Sequence, residues 1–173
     1  MGRCFTIVLL AVAVTGCSSK YRVDSYEKPV TELSRQEGFY VILPADGSYD
    51  GQVYERSGTY AAQAVTSALL THAQKVETGT VPGEDLSSAI KHAREQGLDY
   101  VFQTTILHWE DRATEWSGIP DKLTVKFLVV DAASEKLLSS TVTSASSKWS
   151  TFGGDHPQDL LPAPAKLFVD QLF

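Results

Sequence analysis

Cysteine is scarce in this chain: two in 173 residues, Cys4 and Cys17, and none from Ser18 onward. The body of the protein therefore has no thiol for a disulfide, a thiolate zinc site or a cysteine nucleophile. Long apolar runs are missing as well. The longest, Phe5 to Val14, falls far short of the roughly 20 apolar residues a membrane-spanning helix needs. Basic excess is absent: 15 Lys and Arg stand against 21 Asp and Glu, a formal net charge of −6. That balance argues against nucleic acid as a partner. The chain shows no internal repeat, no low-complexity block and no cofactor-binding motif.

What is present begins at the amino terminus. A short cationic start at Arg3, the apolar run and a small-residue cleavage site make residues 1–16 a secretory signal. Val14-Thr15-Gly16-Cys17 resembles the bacterial lipobox. The resemblance implies a diacylglycerol on the Cys17 sulfur, cleavage before it, and acylation of the new amine, typically with palmitate. Several chains anchor firmly, since each buried methylene contributes about 0.8 kcal/mol and one chain alone is marginal. Ser18 and Ser19 follow where an aspartate would signal inner-membrane retention, which implies the periplasmic face of an outer membrane. Loss of Arg3 with the signal leaves 14 basic residues against 21 acidic ones, a mature charge of −7.

Residues 17–37 read as the lipidated terminus and a flexible tether, polar and without sustained periodicity. Twenty residues reach at most roughly 65–70 Å. Residues 38–173 form one globular domain. "FYVILP" at 39–44 predicts a buried strand and turn. Ala61, Ala64, Val65, Ala68 and Leu69 fall at helical spacing within 59–74, and a short strand at 75–80 follows. Leu86, Ala89, Ile90 and Ala93 predict a second helix stopped by Gly97. "DYVFQTTILHW", "KLTVKFLVVD" and "KLLSSTVTSASSKW" predict three strands, and Pro164 opens a last helix. The order β-α-β-α-β-β-β-α gives an α+β fold with an α/β start. Its simplest burial is a single mixed sheet with helices packed on one face.

"VILPADG", "EQGLDYVFQTTI" and "LTVKFLVVDAASEKLL" together resemble a domain shared by envelope proteins. These include the amino-terminal domain of the Tol-Pal translocation protein, the curli secretion lipoprotein, and the lipoprotein activating a peptidoglycan synthase. The chain as a whole, through "HWEDRATEWSG" and "WSTFGGDHPQDLLP", resembles a proteobacterial lipoprotein family, domain of unknown function 4823. That resemblance implies location and domain limits and transfers no activity.

Candidate chemistry concentrates in "FQTTILHWEDRATEWSGIPDK", 102–122. On a strand, His108, Glu110 and Arg112 share one face, with Trp109 and Asp111 on the other. One reading is a partner-binding hairpin through Trp109, Glu110, Arg112, Glu115 and Trp116, because tryptophan and arginine are enriched at binding hot spots. Its partner would be an envelope protein or peptidoglycan. A second reading is cross-strand salt pairing around Arg112. A third is a hydrolase or metal-dependent site of His108, Glu110 and His156, with Asp155 or Asp159 as further ligands, which requires the tail to fold back. Paired carboxylates for glycoside cleavage are available in Glu110, Asp111, Glu115 and Asp155, at separations the sequence does not fix. "DGSYDG", 46–51, mimics the start of a calcium loop, but its twelfth position is Ser57 and a strand precedes it, so it reads as a strand-to-helix turn. "TFGGDHPQDLLPAP", 151–164, reads as a crossover that tucks Leu160 and Leu161 under the sheet. His72 and His92 read as structural or solvated, and the sequence sets no oligomeric state.

Overall fold

The structure is a computed structural model and describes residues 19–29, 32–112, 119–147 and 156–173. In chain order the elements are strand β1 (Lys20–Glu27), β2 (Gly38–Val41), the short strands β3 (Ser48–Tyr49) and β4 (Gln52–Val53), and helix α1 (Ser57–Leu69). There follow β5 (Lys75–Thr78), α2 (Leu86–Glu95), β6 (Tyr100–Glu110), β7 (Lys122–Asp131), β8 (Leu137–Ser146), a 3-10 turn at Pro157–Leu160 and α3 (Pro162–Asp170). Six strands form one mixed sheet in the order β1-β8-β7-β6-β2-β5, and β3 pairs with β4 separately. Among the described residues no helix is long and apolar enough to cross a membrane.

The apolar run at 39–44 lies inside the sheet. All four residues of β2 are buried, and the strand runs parallel to both β5 and β6. A strand covered on both faces reads as an unbroken apolar stretch. β6, β7 and β8 are an antiparallel meander, and Leu123, Val125, Phe127 and Val129 of β7 alternate inward as their period-2 pattern predicts. Phe102, Phe127 and Phe168 meet at ring-centre distances of 5.7–5.8 Å, joining sheet to α3 at the centre of the main core.

The fold class is the predicted one, a mixed α+β sheet with three helices. The helices do not share one face. α1 and α3 cover the side carrying Phe39, Val41, Phe102 and Phe127, whereas α2 packs Ala89, Ile90 and Ala93 on Tyr40, Ile42 and Val101. The reason is topological. The chain steps from β2 outward to β5 through α1, then back across β2 to β6 through α2. Parallel crossovers are overwhelmingly right-handed, and two of the same hand stepping in opposite directions put their helices on opposite faces.

Part of the stretch read as a tether, Lys20–Glu27, is a strand. β1 pairs antiparallel with most of β8, from Lys20↔Ser146 to Glu27↔Ser140. All eight of its residues are exposed, so its stability comes from the ladder and from hydroxyls of the neighbouring strand. Ser139 and Thr141 donate to the Glu27 and Ser25 carbonyls at 2.7 Å, and Ser144 donates to the Asp24 carboxylate at 2.5 Å.

"DGSYDG" does join strand to helix. Asp46 accepts from the Gly58 N–H at 2.8 Å and the Arg56 N–H at 3.1 Å, while Ser57 Oγ accepts from the Gly47 N–H at 2.7 Å. Asp46 therefore serves the opening N–H groups of α1 from ten residues upstream, which explains its carboxylate without calcium. Gly58 is required there, because a Cβ would lie 2.2 Å from the Pro44 carbonyl oxygen. Gly97, at φ 65°, ends α2 as predicted. Leu160 and Leu161 are buried beneath the sheet, again as predicted.

Candidate functional site

The end of the sheet where β6 finishes and β7 starts carries most of the singled-out residues. A bulge between Ile106 and His108 shifts the register, so Ile106 opposes Val125, His108 opposes Thr124, Trp109 opposes Leu123 and Glu110 opposes Lys122. Ile106 and Trp109 thereby both turn toward the α1–α3 core. Trp109 is 2% exposed. It is a core residue, which removes it from any partner-facing surface. Glu115 and Trp116 lie outside the described residues, as do Cys17 and Asp155.

On the other face Glu110 is also only 2% exposed, an unusual place for a carboxylate. Its compensation is local. Arg112 forms an ion pair with one oxygen, and the other lies 3.2 Å from His108 Nε2 and 3.4 Å from Lys122 Nζ. Burial, followed by the nearby Lys122 charge, holds the His108 imidazole below its ordinary range. Tyr49 stands edge-on to that imidazole at 4.8 Å. Gly47 lets the β3 turn close there, since a Cβ would meet Ile106 and Trp109 within 3 Å. Cross-strand salt pairing was expected around Arg112; the cross-strand pair is Lys122 with Glu110, whereas Arg112 meets Glu110 from the same side of the hairpin.

His156 belongs to a different group. Its Nδ1 is 3.3 Å from Asp111 Oδ1, and Asp111, Asp121 and His156 bring ligand atoms within 4.8 Å of one another. The tail folds back, but onto Asp111 rather than onto His108 and Glu110. The reason is alternation: Asp111 and Glu110 are successive positions and point to opposite sides. Asp121 is buried, accepts from the Arg112 N–H at 2.6 Å, and is tied to Ser147 in both directions. Burial raises its carboxyl pKa, and the Asp111 charge adds to this. The hydrogen bond to Asp111 raises His156. One imidazole and two carboxylates are a donor set zinc or manganese accepts. A cation there would compete with protonation of His156, which Asp111 and Asp121 favour.

Two further clusters are structural. Glu84 accepts from the Tyr40 hydroxyl at 2.8 Å and lies 2.6 Å from His92 Nδ1, pinning the loop before α2. Burial and that carboxylate push the Tyr40 hydroxyl up to about 12. His72 stacks on Phe173 at 4.9 Å and lies 2.8 Å from Asp170. Sequence reasoning missed Lys122 and Asp121 as members of these charge clusters. Hairpin register was the available signal, since a two-strand turn over 111–121 places Lys122 opposite Glu110.

An open cleft of about 550 Å³ lies at the same sheet end, lined on one face by Lys20, Arg22, Tyr49, His108, Lys122 and Ser144. β1 completes it, which is why no reading that treated 17–37 as a tether could have found it.

No curated protein matches the chain in sequence. Among solved structures, the PelC dodecamer from Paraburkholderia phytofirmans is similar over 89% of this chain and 94% of its own, at 14% identity and TM-score 0.63. At that identity the likeness is one of fold. Lipoprotein GNA1162 from Neisseria meningitidis is 21% identical over 79% of this chain and 97% of its own, with TM-score 0.48. The LpoB C-terminal domain from Salmonella enterica is 11% identical over 72% and 85%, with TM-score 0.43. The Tol-Pal resemblance has no counterpart among these structures. The match of a family model over residues 31–172 is decisive: the chain belongs to the DUF4823 family, a domain of unknown function.

Proposed function

We propose that the protein is a non-catalytic lipoprotein of the cell envelope, anchored through Cys17 in the outer membrane and facing the periplasm, where it acts as an accessory or recognition module. The observation that carries this reading is the state of Glu110. The carboxylate that proton-transfer or metal chemistry would use is buried and already matched by Arg112, His108 and Lys122. His156, the third member of the enzymatic alternative, engages Asp111 instead. The lipobox-like Val14–Cys17 and the secretory signal before it support the anchoring. Confinement at a membrane raises the local concentration of any envelope partner without a new contact.

The hairpin between β6 and β7, with Glu115 and Trp116 in its sequence, is the proposed partner contact, and an envelope protein or peptidoglycan is the proposed partner. Crosslinking in cells from a photoreactive residue at position 117, followed by mass spectrometry, is expected to capture one specific partner. Trp116→Ala is expected to abolish that capture. Capture that survives Trp116→Ala would remove the hairpin from this role. Substrate turnover lost on Glu110→Gln would establish the enzyme reading instead.

A further inference from the structure

The anchor and the fold together constrain how the domain meets the membrane. β1 starts at Lys20, three residues after Cys17, and is paired with β8 from its first residue. Three residues span at most about 11 Å. The chain between lipid and folded sheet is therefore a short leash, in contrast to the long tether the sequence implied. It leaves the sheet at one defined end, where Lys20, Lys122 and Ser146 are in register and where β6 and β8 finish.

Most of the exposed cations of that end lie on one face. Lys20, Arg22, Lys122 and the partly exposed His108 line the cleft on one face, with Glu110 already paired within it and Arg22 2.6 Å from Asp24. Asp111 and Asp121 gather separately around His156. The mature chain as a whole carries 14 basic residues against 21 acidic ones, so its net charge opposes approach to an anionic bilayer. Lysine and arginine held within a Debye length of anionic headgroups are attracted instead.

We infer that the domain sits flush on the bilayer, with the Lys20–Arg22–Lys122 face of the sheet end turned to anionic phospholipid headgroups and the β7–β8 turn directed away. This deepens the proposed function and rests on Cys17 being lipidated. It also places both ends of the β6–β7 hairpin, Arg112 and Ile119, at the membrane side, so the partner must be reached at the bilayer surface.

The test uses the full mature lipoprotein in vesicles of phosphatidylethanolamine with a minority of phosphatidylglycerol. Once Cys17 is a thioether the protein has no other thiol. Ile119→Cys and Lys136→Cys each then take a single fluorophore, at the near end and in the β7–β8 turn. A headgroup-borne nitroxide quencher is expected to act strongly at 119 and weakly at 136, because the strand between them is roughly 34 Å long. Lys20→Glu with Arg22→Glu is expected to weaken quenching at 119 several-fold in these vesicles and to leave it unchanged in phosphatidylcholine. A twenty-residue Gly-Ser insert after Ser18, which leaves β1 intact, is expected to weaken quenching at 119 several-fold in phosphatidylcholine, where the short leash alone holds the domain down. Equal quenching at both positions, or quenching at 119 indifferent to charge reversal and to the insert, would overturn flush docking while leaving the anchor in place. Absence of lipid mass on Cys17 would overturn the anchoring reading and this one with it.

Discussion

Glu110 and Trp109 are neighbours in sequence with opposite fates, and each makes a prediction. Arg112→Met leaves a buried carboxylate short of its principal counter-ion and is expected to cost about 3 kcal/mol in urea unfolding. Adding Glu110→Leu is expected to recover most of that loss, because the uncompensated charge goes with it. Trp109→Ala is expected to cost about 3–5 kcal/mol through the cavity it opens. The two histidines of this sheet end titrate in opposite directions. His156 is raised above the ordinary 6.5 by its hydrogen bond to Asp111, so its contribution to stability is fully present below pH 6.5 and is lost as pH rises through the raised value. His108 is lowered, chiefly by burial, so its contribution is present above pH 6.5 and is lost as pH falls through the lowered value. Proton NMR of the imidazoles is expected to place the His156 midpoint above 6.5 and the His108 midpoint below it. Coincident midpoints would contradict the assignment of the two residues to separate clusters.

The elements differ in how plainly their sequences announce them. Those that bury a face were legible: β7 by alternation, α2 by its apolar stripe and Gly97, and β2 by its unbroken apolar run. β1 was not, for a physical reason. It buries nothing, and the bulge at Asp24 breaks its period, putting Tyr21, Val23 and Tyr26 opposite Ala145, Thr143 and Thr141 along one face. A strand held by its ladder and a few neighbouring hydroxyls leaves no hydrophobic signature. The start of α1 was hidden similarly, because Arg56 precedes it in a left-handed conformation and makes no side-chain cap. The acceptor is the remote Asp46. Asp46→Ala is expected to cost about 1–2 kcal/mol, read as a lowered thermal midpoint with native secondary structure retained. Gly58→Ala is expected to destabilise by about 1–3 kcal/mol, because the Pro44 carbonyl must move to admit a methyl group.

At the scale of the molecule, the expected joint site of His108, Glu110 and His156 separated into two clusters on opposite faces of one sheet end. Strand alternation made that separation predictable for Glu110 and Asp111, but it gave no address to His156, which arrives from a distant 3-10 turn. The cleft bounded by Lys20, Arg22 and Lys122 exists only because β1 returns to the sheet across more than 100 residues of chain. Pairings of such separation follow from the closure of the whole sheet and not from any local pattern. The lipobox-like start, the helices and strands that bury a face, and the fold class were all legible before folding, because each rests on local periodicity or a short motif. Which face each helix covers, the pairing of β1, and which charges meet emerge from the folded chain. Those depend on crossover handedness, backbone pairing without burial, and register set by bulges, none of which a side-chain pattern encodes.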